Sequence, residues 1–255
     1  MQAALSRIKT DPVLKRFTAE VERIFPDRLE QVILYGSRAR GDARPDSDYD
    51  IIVELSDAPT EQDKELLGEV ARTIGDETHS LISAWFEARN DFERRSLFMH
   101  NLRREGVDLR RGCLADFPPI RESREEYVKA ITANLLKYSR ECLANAAANE
   151  RMAIPSLAAR EAYMAGFNAA RALIFERTGK SPKTHSGVNT LFNEVARSVP
   201  ELERALVSFL GDGYQFKAWA DYHEGERTTA EQARRAIVTA TRLVDAIERF
   251  ISAES

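Results

Sequence analysis

Apolar residues recur at helical spacing from Asp11 to Phe25, where Val13, Phe17, Val21 and Ile24 share one stripe behind Asp11 and Pro12. The pattern then changes. Gln31–Tyr35 is a short apolar run closed by Gly36, Tyr49–Leu55 is a second, Leu81–Phe86 a third and Val107–Leu109 a brief fourth. Short runs of this kind, bounded by turn residues, predict strands. Thr60–Ile74 returns to helical spacing. This alternation predicts a sheet with helices packed on it.

The grammar shifts after residues 111–122, where Pro118-Pro119 cannot continue a helix. A boundary there gives two domains, 1–115 and 122–255. Beyond it the pattern is helical throughout. Ser123-x-x-Glu126 is a candidate capping box for a helix with Tyr127, Ile131, Leu135, Tyr138 and Cys142 on one stripe. A second helix aligns Tyr163, Phe167, Ala170 and Ile174 and stops at Gly179. Further helical text covers Val188–Val195 and Leu202–Leu210. Thr228-x-x-Glu231 is expected to open a last helix that aligns Ile237, Ala240, Val244, Ile247 and Ile251. These spacings predict a four- or five-helix bundle. The expected class is therefore α+β, a mixed sheet with helices followed by an all-α bundle.

Composition narrows the function classes. The 255 residues are 43% hydrophobic and 31% charged, which excludes a disordered or collagen-like chain. The net charge of −4 is too mild to imply a nucleic-acid or membrane partner by itself. Residues 1–120 hold 18 Lys and Arg against 23 Asp and Glu, and 121–255 hold 19 against 18, so the helical half is no basic module. No apolar run approaches the ~18 residues of a membrane span. The first residues lack the apolar core of a secretory signal. Cys113 and Cys142 stand far apart and outside metal-ligand spacing, so free thiols in a cytoplasmic protein are expected.

The chemistry concentrates in residues 36–50, GSRARGDARPDSDYD. The strand at 31–35 would deliver Gly36 to a sheet edge, where the missing Cβ lets a phosphate approach the backbone. Ser37 adds a hydroxyl and an amide. Asp48 and Asp50, at i and i+2 of the next strand, would point to one side, with Tyr49 on the other. Two neighbouring carboxylates suit Mg²⁺, whose shell nucleotide phosphates and water would complete. Arg38, Arg40 and Arg44 would balance phosphate charge. No Gly-Lys-Ser/Thr follows, so this is not a Walker P-loop. Carboxylates beside the apolar run Ile51, Ile52 and Val53 are costly unless paired or metal-bound, which argues against a plain solvated turn.

Gly36, Ser37, Arg40, Gly41, Ser47, Asp48 and Asp50 resemble, in order and spacing, the signature of the DNA polymerase β-like nucleotidyltransferases, especially the minimal ones. The resemblance covers about residues 28–110. It implies ATP or another NTP as donor and one or two Mg²⁺ ions as cofactor. It also implies Asp48 and Asp50 as catalytic and metal-binding residues, and Gly36, Ser37, Arg40 and Ser47 as nucleotide-binding residues. The chain departs from that family at the third carboxylate. Ser83 stands where the acid is expected, and Glu77 and Glu87 lie outside the strand at 81–86.

Residues 169–173 (AARAL), Thr178-Gly179-Lys180, residues 182–187 (PKTHSG) and Ala220-Asp221-Tyr222 resemble the HEPN family over about 123–252. HEPN domains are often encoded beside, or fused to, minimal nucleotidyltransferases. In split pairs acting as toxin–antitoxin modules the HEPN protein is commonly an RNase, which the nucleotidyltransferase silences, in some cases by adding AMP to a tyrosine. The family's RNase signature is Arg, four to six residues, then His. Here Lys217 precedes His223, and lysine lacks the bidentate fork of arginine. Lys217, Tyr222 and His223 form the candidate site of this half, with Tyr222 and Tyr214 as candidate AMP acceptors. His185, in the Pro-Lys-Thr-His-Ser-Gly turn, is expected as a helix-entry contact. The resemblance also implies a homodimer through the helical domain.

These features predict a Mg²⁺-dependent nucleotidyltransferase of toxin–antitoxin or stress-response type, with a protein hydroxyl, an RNA end or a small molecule as acceptor. A second reading is an aminoglycoside adenylyltransferase, with acidic groups from Asp221-Tyr222-His223-Glu224-Gly225-Glu226. A third is a catalytically impaired nucleotide-sensing or RNA-binding protein.

Overall fold

The apolar runs supply the strands of a five-stranded mixed sheet in a computed structural model that describes residues 2–200, 202–222 and 228–253. The chain divides into two compact units, Met1–Arg121 and Glu122–Ser255. In the first unit α1 (Gln2–Thr10) and α2 (Pro12–Ile24) precede β1 (Leu29–Tyr35), the short α3 (Gly36–Arg40) and β2 (Tyr49–Leu55). Then come α4 (Glu61–Thr78), β3 (Ile82–Phe86), α5 (Leu97–Glu105), β4 (Val107–Asp108) and β5 (Cys113–Leu114). The strand order is β3-β2-β1-β4-β5. β1 is antiparallel to β2 and β4, whereas β3 is parallel to β2 and is reached through the crossover helix α4.

The pleat separates two cores. Val32, Leu34, Ile51 and Val53 pack against Phe17 and Val21 of α2 and Leu67 and Ile74 of α4. Ile33 and Ile52 face the other way, onto Phe92 and onto Met99 and Leu102 of α5. This second core is small. Residues that share its face beyond Ile33 and Ile52 therefore sit at its margin, and Asp50 is one of them.

Local signals fix the helix starts. Asp11 Oδ1 accepts from the backbone N–H of Val13 and Leu14, and Pro12 takes the first helical position of α2. Thr60 and Asp63 form a capping box at α4. Two expectations need correction. β1 is the middle strand, so Gly36 lies at a strand end rather than at a side edge of the sheet. β2 begins at Tyr49, so Asp48 stands one residue before the strand.

The second unit holds five helices among the described residues: α6 (Arg124–Arg151), α7 (Pro155–Thr178), α8 (His185–Val195), α9 (Arg204–Tyr222) and α10 (Ala230–Ala253). Ser123 and Glu126 make the capping box at α6, and Gly179 closes α7 in the left-handed conformation. α7 is buried on most sides. Its alanines and Gly166 let α9 and α10 approach, and a Cβ at Gly166 would lie 2.8 Å from Phe209 and 3.2 Å from Leu243. The cap of α10 falls one residue later than its sequence pattern suggests, because Thr229 and Gln232 exchange the hydrogen bonds. Among the described residues no helix is long and apolar enough to cross a membrane.

Phe17 is fully buried between α2 and the sheet. Phe17→Ala should lower the unfolding free energy of this unit by about 3–5 kcal/mol. Urea denaturation checks it, and an unchanged midpoint would mean that α2 does not hold this core.

Candidate functional site

The turn after β1 is built around one close approach. Gly36 has φ +75°, and a Cβ there would lie 2.2 Å from Asp50 Oδ2. Only glycine supplies both the left-handed backbone and the empty space. α3 then turns the chain back, and Gly41, at φ 83°, donates its N–H to the Ser37 carbonyl at 2.9 Å. Asp42 N–H adds a second bond to that carbonyl at 3.1 Å.

Asp50 is the cross-strand partner of Tyr35 on one side and of Ser83 on the other. It stands on the same face as Ile52, half-buried beside the small core. Burial pushes its carboxyl above the ordinary range, the Asp48 charge adds to this, Arg40 opposes and Glu105 adds a little more. A half-buried carboxylate raised by a like charge is unfavourable when ionised, and a divalent cation would relieve that cost. By this electrostatic test Asp48 and Asp50 fit a hard cation such as Mg²⁺.

The arginines and serines of the segment divide in role. Arg40 bridges Asp42 and Glu105, at 3.1 Å each, and its charge offsets part of the Asp50 shift. Arg38 works within the loop instead: Nε donates to the carbonyls of Ser47 and Asp48 at 3.1 Å, and its guanidinium lies 3.7 Å from the Tyr49 ring centroid. Tyr49 in turn donates to Asp11 Oδ2 at 3.1 Å. Arg38 therefore holds the aspartate loop in place, rather than lying open to phosphate as expected. Ser47 Oγ accepts from Arg44 N–H at 2.9 Å and closes the 44–47 turn, so its hydroxyl is engaged inside the loop. Ser37 stays partly exposed next to Gly36.

Among the described residues no third carboxylate joins the pair to form a metal-ligating group, and no group of three or more His, Cys, Asp or Glu side chains is arranged to hold a metal ion. Ser83 occupies the position opposite Asp50. Glu77 is turned toward α2, where it pairs with Arg16. Glu87 follows the end of β3 and pairs with Arg94 at 2.6 Å. Sequence spacing did not reveal Tyr35, Trp85 and Phe98, whose rings pack edge-on or tilted at 5.4–6.4 Å on this face. Burial, then the charges of Asp50, Asp48 and Glu87, push the Tyr35 phenol well above its usual range, so it stays a hydrogen-bond donor. The apolar alternation of β1 and β3 holds the only signal for these rings, and it reads equally well as core.

In the second unit Lys217 lies on α9 and Tyr222 is the last residue of that helix. His223 lies outside the described residues, as do Glu224, Gly225 and Glu226. A cavity of about 580 Å³ sits elsewhere, lined by Tyr163, Thr184, His185, Asn189, Leu210 and Tyr214. His185 opens α8, its Nδ1 lies 2.8 Å from the Tyr163 hydroxyl, and its ring stacks on Phe167 at 4.4 Å.

Residues 14–96 match the nucleotidyltransferase domain family, and residues 132–250 match the HEPN domain family. The chain thus joins a nucleotidyltransferase domain to a C-terminal HEPN domain. It is 36% identical over 59 residues to a protein of Methanocaldococcus jannaschii named "Putative protein adenylyltransferase". That match covers 23% of this chain and 60% of the relative. A solved structure of a spectinomycin adenyltransferase from Enterococcus faecialis, with ATP and spectinomycin, aligns over 92% of this chain and 98% of its own, at 15% identity and TM-score 0.49.

The raised Asp50 carboxyl gives a pH signature. A carboxyl raised by folding stabilises the fold most below its unfolded value, and that contribution is lost as pH rises through the folded value. Asp50→Asn removes this loss. Thermal unfolding of the cation-free protein should show the variant at least as stable as wild type at neutral pH, with the difference vanishing in acid. A variant less stable at neutral pH would contradict the electrostatic account.

Proposed function

We propose that the first unit transfers a nucleoside monophosphate from a Mg²⁺-bound NTP, ATP foremost, to a hydroxyl acceptor. The observation that carries this reading is the contact of the Gly36 turn with Asp50, which sets a glycine backbone that phosphate could approach beside a carboxylate pair. Asp48 and Asp50 would hold the cation, which supplies charge neutralisation at the phosphates when bound. Gly36 and the adjoining Ser37 would receive the triphosphate. Arg40, released from Asp42 or Glu105, would reach phosphate oxygens. The protonated Tyr35 phenol would donate a hydrogen bond at the reacting end.

In the transfer, an acceptor hydroxyl oxygen bonds to the α-phosphorus. The bond from that phosphorus to the bridging oxygen breaks, pyrophosphate leaves with the electron pair, and the hydroxyl proton passes to solvent. The likeness to a protein named as an adenylyltransferase supports ATP as donor and a protein hydroxyl as acceptor. The union with a HEPN domain supports a toxin–antitoxin or stress-response role, with Tyr214 and Tyr222 as acceptors within the HEPN half. A second reading follows from the missing third acid: a nucleotide sensor that binds Mg²⁺·ATP without turnover.

Pyrophosphate release and intact mass after incubation with ATP and Mg²⁺ test both readings. Wild type should release pyrophosphate and gain AMP on an acceptor. Asp48→Asn and Gly36→Ala should each lose about 100-fold or more, the scale of a lost transition-state electrostatic contact. Tight ATP binding with no pyrophosphate favours the sensor, and no Mg²⁺-dependent binding of any NTP contradicts both.

A further inference from the structure

The outer side of β3 is an unused strand edge. Among the described residues β3 ends the sheet on its side and pairs with β2 alone. Tyr49 N–H donates to the Leu81 carbonyl at 2.8 Å, and Glu87 N–H donates to the Val53 carbonyl at 3.2 Å. Alternate residues of a strand turn their main-chain groups to opposite sides. Residues 81, 83, 85 and 87 therefore face β2, and Ile82, Ala84 and Phe86 face outward. Among the described residues no group from another element bonds to the main chain of these three. A cavity of about 600 Å³ lies along this edge, between Ile82, Ser83 and Ala84 and the α4 residues Lys64, Gly68 and Arg72. A Cβ at Gly68 would meet nothing within 4 Å, so the helix side is open too.

Proteins guard such edges with charges, prolines or bulges. The strand ISAWF carries no charge and no proline, and its pairing with β2 runs from Ile82 to Phe86 without a register shift. A row of N–H and C=O groups left unpaired at a two-residue repeat is the complement of an extended main chain. A nucleotide or a lipid headgroup does not present that repeat.

We propose that the free edge of β3 docks an extended polypeptide as a sixth strand, and that this strand carries a hydroxyl acceptor other than Tyr214 and Tyr222. Its second half rests on the nucleotidyl-transfer reading. A strand added there lies two strand spacings, about 10 Å, from β2. Ser83 is the β3 residue between the added strand and Asp50, on the same face. In this proposal the short side chain of Ser83 lets a docked side chain cross over it toward Asp50. A long hydroxyl-bearing side chain of the docked strand crosses Ser83 to reach the Asp48–Asp50 pair. The departure at position 83 thus becomes the acceptor's entry.

The test uses the full chain, Mg²⁺·ATP and a pool of random ten-residue peptides at millimolar total concentration. Amide exchange at Ile82, Ala84 and Phe86 should slow at least tenfold with the pool, and the peptides should gain AMP. The same pool N-methylated along its backbone should protect none of them. Ala84→Pro deletes one outward N–H and spares the β2 ladder; it should lose protection, peptide labelling and the peptide-dependent pyrophosphate release while keeping Mg²⁺·ATP binding. Unchanged exchange at the three amides overturns the proposal, and so does equal protection by the N-methylated pool. Self-association that Ala84→Pro abolishes, with no effect of peptides, overturns it in favour of a second copy at this edge. Protection without labelling, in a protein that releases pyrophosphate, overturns the delivery step. Protection with neither labelling nor pyrophosphate release faults the transferase reading and leaves the docking intact.

Discussion

The first unit is organised around the contact of Gly36 with Asp50. A Cβ at position 36 would stand 2.2 Å from the carboxylate oxygen, so the turn and the aspartate are fitted to each other. The contact needs two things at once: a strand that ends on a left-handed residue, and a partner strand whose register puts Asp50 beside Tyr35. Everything nearby serves that register. The apolar residues of β1 and β2 lock it through the larger core, because a slip by one residue would turn Asp50 into that core. Arg38, Tyr49 and Asp11 then tie the aspartate loop to the start of α2.

The site keeps two carboxylates together where burial makes that unfavourable. Arg40 offsets part of the cost and is itself shared with Glu105 and Asp42. Under the proposed reading a divalent cation would offset the rest of that cost. The same electrostatics keep the Tyr35 phenol protonated. The result is a face with acid and phenol at one end of β1 and β2, and aromatic rings beside it.

Much of this was legible in the sequence. The runs at 31–35, 49–55 and 81–86 became β1, β2 and β3 because continuous apolar text fits a strand covered on both faces. The stripes after Ser123 became α6 to α10 because period-3.6 burial is a strong signal over long helices. The cap at Thr229 was missed by one residue because both neighbouring threonines satisfy the pattern. α1, α3, α5 and β5 were unforeseen. They are short elements, and α5 in particular depends on covering Ile33 and Ile52 rather than on its own pattern. Of the candidate site, the closeness of Gly36 and Asp50 was legible, since the residue types and order of 36–50 conflict with a plain core strand. The engagement of Arg38 and Ser47 inside the loop was not, since a side chain's partner depends on the folded turn. Nor was the open edge of β3, which exists only once the strand order is known.

The central claim is that this pair and this turn receive a metal-bound triphosphate. A crystal structure with a non-hydrolysable ATP analogue and Mg²⁺ addresses it most directly. The account predicts the ion on both Asp48 and Asp50, with the triphosphate against Gly36 and Ser37. A nucleotide bound elsewhere on the chain, or an ion that touches neither aspartate, would contradict it.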